Sequence, residues 1–408
     1  LTRAFARIGL LSFGGPAAQI ALMHRELVEQ RKWISEADYL SALSFCMLLP
    51  GPEAMQLATW IGWRKHGTVG GLIAGGLFVL PGAIIVLVLS MIYATFGTVP
   101  VVAALFTGVQ AAVLAVVVEA LLRVSKRALK SPGQWAIAGI AFLSLFFFAT
   151  PFPVVILAAG IWDFAATKGA AIRPTTPAPW RESLLALIIW GAVWLIPLAA
   201  LMLFHPGILA EIALFFSKLA LLTFGGAYAV LTWMAQEVVQ QKQWLTLPEM
   251  MDGLGLAETT PGPLILVTQF VGFLAAYREG GIMLGLAGAG ITLWMTFVPC
   301  FLWIFAGAPW ISRVTAAPRL SGALKAITAA VVGVIANLSL WFAMHVLFAS
   351  VRTLQIGPVH TILPDPSSLN LLPAIIAAGA AYLLLLRHWP LPLVLALSAA
   401  ISAAVAAF

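Results

Sequence analysis

The chain has 408 residues, 62% of them hydrophobic and only 9% charged, with a mean hydropathy of +1.02. A soluble domain carries roughly 25% charged residues, so this composition excludes a water-facing surface over most of the molecule and points to lipid as its solvent. The net charge of +7 does not indicate nucleic acid, because the 22 Lys and Arg fall between apolar runs with no basic stripe interleaved with aromatics; it fits positive connecting loops at a membrane.

A spanning helix needs about 20 mostly apolar residues. In chain order such stretches run over 3–23, 37–62, 68–96, 99–122, 134–149, 152–167, 183–204, 208–234, 249–276, 281–306, 323–349, 370–387 and 389–408, which makes 13 membrane segments. The pairs 134–167 and 370–408 are short helices joined at "TPFP" and "HWP". The sizeable loops are "SKRALKSPGQ", "ATKGAAIRPTTPAPWRE" and "VRTLQIGPVHTILPDPSS". With the N-terminus inside, 16 Lys and Arg fall on inner loops and 5 on outer ones, with Lys218 left within a span. That asymmetry predicts a cytoplasmic N-terminus and an external C-terminus. Cys46 and Cys300 both lie in apolar runs, and the six histidines are scattered without an HxxxH pair. No disulfide framework, metal site or cofactor is expected. No signal-peptide pattern precedes the body.

The segments are interrupted in a repeating way. "LSFGG" at 11–15 returns as "LTFGG" at 222–226, and "LLPGPE" at 48–53 returns as "TTPGP" at 259–263. Glu26 matches Glu237, Gln30 matches Gln241, Trp33 matches Trp244 and Asp38 matches Glu249, all at an offset of 211. One register held over about forty positions is an internal duplication. Seven segments, an odd number, separate the first break from its copy, so the copies lie in opposite orientations. The expected architecture is an all-α polytopic membrane protein with two inverted-topology repeats and interrupted helices. The repeats cover 1–167 and 208–408, joined by a linker with an extra transmembrane helix over 168–207. If the SFGG and PGP segments are re-entrant hairpins instead of full spans, the count changes by two per half and the inversion is preserved.

Paired glycines in a membrane helix free backbone groups that lipid cannot satisfy. Pro16 and the Pro-Gly-Pro motifs each suit the first turn of a new helix. Each half should therefore present two helix N-termini near the membrane interior, with a partial positive charge of about half a unit and unpaired N–H donors. Four such ends predict an anion site at Ser12, Gly14, Gly15, Gly51, Thr223, Gly225, Gly226 and Gly262. Arg7 and its repeat partner Lys218 are expected close by, Lys218 either at the site or snorkelling from the helix end. The plainer reading, that GG and PGP only permit close packing or a kink, fits a single break better than a pair repeated in register. Glu53 and Glu258 are candidates for proton coupling, against a plain role for Glu53 as a helix-dipole complement. Gln56, Gln269 and Asn337 suit interhelical hydrogen bonds, and "GTVGGLIAGG" (67–76) and "GLAGAGITLW" (285–294) suit close helix contact. The GxxGxG inside the latter follows no strand and is not read as a nucleotide loop.

The run "FARIGLLSFGGPAAQIALMHRELVEQRKWISEADY", continued by "LLPGPEAMQLATWIG" and "GGLIAGGLFVLPG", resembles the chromate ion transporter family in its long two-domain bacterial form. "LTFGGAYAVL", "EVVQQKQWL" and "AETTPGPLILVTQFVGF" look like that family's C-terminal domain, with Ala227 in place of the Pro found at Pro16. The resemblance implies a multi-pass secondary transporter of the bacterial inner membrane that exports chromate and confers chromate resistance. Sulfate shares chromate's charge and tetrahedral shape, so another oxyanion carrier is the alternative substrate reading. An ion channel is a further class. A membrane-embedded reductase would need a haem, Fe–S or dinucleotide motif that the sequence lacks. The expected partners are chromate or sulfate and the bilayer, without nucleic acid, and a homodimer is compatible with the sequence. No GxxxxGK[ST] loop is present, so the membrane potential is the expected driving force.

Overall fold

The computed structural model describes every residue except 14, 98, 168–179, 225–226, 312, 314–316, 358 and 408. The first twelve residues of the linker thus fall outside the description. The opening helices are short. α1 (Thr2–Leu11) stops at Ser12, whose hydroxyl turns back onto the Ile8 carbonyl at 2.6 Å. α2 (Gly15–His24) starts on a glycine followed by Pro16 and runs on as a π turn over Arg25–Gln30. α3 (Glu36–Cys46) is capped by Ser35, whose side chain accepts the Asp38 N–H at 3.1 Å. α4 (Glu53–Phe96) begins after Pro52 and bends sharply at His66–Gly67, so it is two arms joined at a corner.

These pieces fold back and forth. Arg7 of α1 pairs with Glu26 beyond α2 at 3.7 Å. The Tyr39 hydroxyl of α3 donates to the Ile20 carbonyl of α2 at 2.7 Å. Lys65 at the α4 corner stands 5.9 Å from the Trp33 ring in the turn before α3. The turn at 31–35 and the corner at 66–67 therefore share one end, and the breaks at 12–13 and 47–52 lie at the other. A helix of 10 residues is about 15 Å long, half of a ~30 Å hydrocarbon core. Segments 3–23 and 37–62, expected as continuous spans, are each divided into two such arms.

The second copy does the same. α9 (Ile208–Leu222) ends at Thr223, whose hydroxyl donates to Leu219 O at 2.6 Å. α10 (Ala227–Gln236) continues as a π turn over Glu237–Gln241. α11 (Leu247–Thr259) is capped by Thr246, and α12 (Val267–Gly307) bends at Gly280–Gly281. Dihedrals repeat along with the sequence. Ser12 (φ −78°, ψ 61°) matches Thr223 (φ −77°, ψ 67°), and the α4 corner (φ −142°, then 62°) matches the α12 corner (φ −146°, then 69°). Lys242 pairs with Glu211 at 3.0 Å and Arg278 pairs with Glu249, which holds the turns of this copy together. Segments 208–234 and 249–276 are divided like their partners.

Longer helices enclose these arms: α5 (Pro100–Ala128), α8 (Trp180–Phe204) and α13 (Pro318–Leu347). Among the described residues five helical stretches are long and apolar enough to cross a membrane: these three, Glu53–Phe96 and Leu264–Trp310. The pairs α6 (Pro132–Phe148) with α7 (Phe152–Ala166), and α14 (Leu371–Ala381, extended by a π turn to Leu386) with α15 (Leu391–Ala406), are shorter. The expected glycine contacts are present. A Cβ on Gly70 or Gly288 would overlap the carbonyl oxygen of Gly62 or Gly272 on the facing arm. Phe5, Ile8, Tyr39, Phe216 and Phe270 fill the core between the two copies and the enclosing helices.

One stretch departs from the expected loop. Val351–Ile356 (β1) and Val359–Pro364 (β2) form an antiparallel hairpin with Ile356 opposite Val359. Gly357, at φ 58°, supplies the turn. The alternation in "TLQI" and the β-branched residues of "VHTI" on either side of that glycine fit a two-stranded ribbon better than an irregular loop.

Candidate anion site

The two copies meet at their breaks. Gly51 N–H donates to the Thr223 carbonyl at 2.8 Å, and Gly262 N–H donates to the Ser12 carbonyl at 2.9 Å. Each Pro-Gly-Pro glycine thus grips the hydroxyl-bearing break residue of the other copy. Both glycines need positive φ to do so, 122° at Gly51 and 99° at Gly262. Buried Gln19 adds a clamp, its Nε2 donating to Gly262 O at 2.7 Å and Ser12 O at 3.3 Å. Gln56 donates to Pro50 O at 2.7 Å, and Gln269 donates across from α12 to Ala83 O of α4 at 3.1 Å. In this conformation the Gly51 and Gly262 N–H groups and the Ser12 and Thr223 hydroxyl protons are all committed to carbonyls. Gly262→Ala is expected to cost about 1–3 kcal/mol through backbone strain. A thermal unfolding midpoint in detergent equal to the parent's would contradict a junction held in this way.

Beside the first break lies a cavity of about 380 Å³. Its wall includes Pro16 and Ala17 in the first turn of α2, Gly51, and Glu53 in the first turn of α4. Facing them are Arg123 and Arg127 of α5, Lys130 and, from α13, Lys325. Four cations oppose one carboxylate, and two helix N-termini add their partial positive ends. Such a wall attracts anions electrostatically and offers forked and point-charge donors to oxygens. Arg127 reaches the Met47 sulfur at 2.6 Å, and Arg123 pairs with Glu119 one turn away. A Cβ on Gly15, which has φ 76°, would stand 3.9 Å from the Arg123 guanidinium. A second cavity of about 200 Å³ is lined by Glu119, Arg123, Glu258 and His388, so Arg123 borders both.

The expected site residues divide accordingly. Ser12, Gly51, Thr223 and Gly262 form the junction, Gly15 and Glu53 face or adjoin the larger cavity, and Glu258 is buried at the smaller one. Gly14, Gly225 and Gly226 lie outside the described residues. Arg7 is exposed and paired with Glu26, which also meets Arg31 at 3.5 Å. Lys218 is exposed on α9, five residues before Thr223. Neither is in the cavity wall. The positive-inside count assigns the cations that are in it to loops. Their signal is the run Arg123, Lys126, Arg127, Lys130, dense for a chain with so few charges.

A sequence model described as chromate transporter matches residues 1–164 and 210–403. The chain is 31% identical over 392 residues to a chromate transport protein of Pseudomonas aeruginosa, covering 92% of this chain and 90% of that one. It is 31% identical over 341 residues to a chromate transport protein of Cupriavidus metallidurans, covering 81% and 79%. The uncharacterized transporter YwrA of Bacillus subtilis is 30% identical over 166 residues, 40% of this chain but 93% of that shorter protein. No solved structure matches the chain.

Proposed function

Because this chain belongs to the chromate transporter family, we propose that it carries chromate out of the cell across the bacterial inner membrane as a secondary transporter and so confers chromate resistance. The observation that carries this reading is the cavity where Arg123, Arg127, Lys130 and Lys325 face the first turns of α2 and α4. A tetrahedral dianion suits that wall by charge and by donor geometry. Glu53 acts there as the resident counter-ion that an incoming anion displaces. Glu53→Gln is expected to lower the half-saturating chromate concentration about fivefold, on the order of 1 kcal/mol. An unchanged value in flux assays would remove Glu53 from the site.

The fold suggests orientation. The first copy's turns share an end with the C-terminus of α5, which brings Arg31, Lys32, Lys65 and Lys126 to one side. By the positive-inside rule that side is cytoplasmic. The N-terminus is then inside, although Arg31 and Lys32 move from the outer loops of the simple count to the inner face. Three long crossings, the second arm of α4, α5 and α8, lie between the copies, an odd number that leaves them inverted. The half-length relative YwrA fits a duplicated ancestor. Two cysteine variants check this in a chain whose own Cys46 and Cys300 are buried. Lys126→Cys is expected to react only from the cytoplasm and Gln355→Cys only from outside. Labelling of both from one side would refute the orientation.

Direction follows from charge. Moving one charge through 100 mV is worth about 2.3 kcal/mol, so a dianion leaving across a potential on the order of 150 mV gains about 7 kcal/mol. That is roughly 10⁵ at equilibrium. Everted vesicles with an imposed potential, labelled chromate and no nucleotide test the reading. Accumulation that follows the potential and is reduced by excess sulfate supports an oxyanion exporter. Accumulation that ignores the potential contradicts it.

A further inference from the structure

Away from the cation-lined cavity, Asp252 is a buried carboxylate that makes no ion pair among the described residues. Asp252 on α11 is 3% exposed. Its Oδ2 accepts the Tyr93 hydroxyl of α4 at 2.7 Å, and its Oδ1 accepts Gln110 Nε2 of α5 at 2.9 Å. Glu249, one turn earlier on α11, acts electrostatically on Asp252, and Arg278 of α12 acts on its partner Tyr93. These two pair with each other. α15, which also packs on α11, carries no charged residue. A carboxylate held in a membrane protein without a cation is costly unless its charge is used.

Resting on the transport reading above, we propose that Asp252 is the carboxyl group that binds the coupled proton, one per chromate, entering as chromate leaves. Three features of the geometry carry this. First, the site tolerates both protonation states. A hydroxyl both donates and accepts, so Tyr93 can donate to the carboxylate or turn to accept the proton carried on Oδ2. Gln110 can likewise turn its amide to either state. Second, the cluster joins the two copies, with Tyr93 and Gln110 from the first and Asp252 from the second. Neutralising Asp252 therefore changes how α11 is held against α4 and α5. The same α11 ends at the break where Gly262 grips Ser12, and carries Glu258 in its last turn. Third, Asp252 lies six residues from the Thr246 cap, about 9 Å along the helix, at the end that carries Arg278 and faces outside in the proposed orientation. The cation-lined cavity opens toward the opposite side. Proton and oxyanion thus bind on opposite sides of one junction, an arrangement suited to exchange.

The test uses the full chain in everted vesicles at zero potential, with the lumen about one pH unit more acid than the bath. One proton exchanged per chromate multiplies steady-state accumulation about tenfold per pH unit. The parent is expected to show that response, and Asp252→Asn to show none while keeping chromate–chromate exchange at equal pH within about twofold of the parent. A tenfold response retained by Asp252→Asn would overturn the assignment. So would loss of exchange along with the response, because the carboxylate would then be structural. A parent driven by potential but indifferent to the pH gradient would overturn it too, leaving chromate export intact. A parent that moves no chromate under either gradient would instead refute the transport reading itself.

Discussion

Replacing Arg127 and Lys325 together by glutamine is expected to raise the half-saturating chromate concentration about 30- to 1000-fold. A charge-assisted hydrogen bond is worth about 1.5–3 kcal/mol when buried, and an exposed ion pair about 1 kcal/mol or less. The cavity wall is between these limits, since it is open to solvent on one side but closed by α2, α4, α5 and α13. About 1–2 kcal/mol per cation gives about 2–4 kcal/mol for the pair, which is the stated range. Lys325→Arg keeps the charge and is expected to stay within a few fold of the parent. The remaining binding should also lose much of its salt dependence, because fewer cations are left to be screened. A double variant with the parent's half-saturation would show that the anion binds elsewhere.

Gly82→Ala is expected to abolish transport and lower the unfolding midpoint by several degrees. A Cβ at Gly82, on the second arm of α4, would overlap the carbonyl oxygen of Pro261. That oxygen belongs to the backbone of the second break and cannot rotate away as a side chain would. Overpacking typically costs about 1–3 kcal/mol, and the shift falls on the residue preceding Gly262, whose N–H holds Ser12. Gly76→Ala, two turns earlier in the same arm, has nothing within 4 Å of its new methyl. It is expected to be neutral or to stabilise by about 0.5–1 kcal/mol through helix propensity. Equal behaviour of the two variants in melting and flux assays would contradict a close-packed junction between α4 and the second break.

Much of this arrangement is written in the sequence. The offset of 211 locates both pairs of breaks, and the structure repeats it in Ser12 and Thr223, in Gly51 and Gly262, and in the caps Ser35 and Thr246. What hydropathy does not reveal is direction. An apolar run such as 37–62 has the same composition whether it crosses or turns back at Pro50-Gly51-Pro52. Partners distant in sequence settle it, such as Lys65 beside Trp33. The cation-lined cavity is half legible. Arg123 to Lys130 stand out as a basic run, but a rule that assigns cations to loops already accounts for them. Nothing in the spacing brings Lys325 to face them. Arg7 and Lys218 match across the repeat, which predicts them near the anion; in the structure both are exposed, on the outward face of their helices. Phe5 and Ile8 occupy the inward face of α1, and Phe216 and Leu219 that of α9. Asp252 belongs to no motif, and its significance comes from Tyr93 and Gln110 on two other helices.

The oxyanion is expected to bind between the first break and the cations of α5 and α13. Chromate carries its own heavy scatterer, so a chromium anomalous difference map from crystals soaked in chromate tests it most directly. A peak is expected in the 380 Å³ cavity, within hydrogen-bonding reach of Arg127 and Lys325, that disappears when sulfate is in large excess. A chromium peak at another site in protein that transports chromate, with this cavity empty, would contradict it.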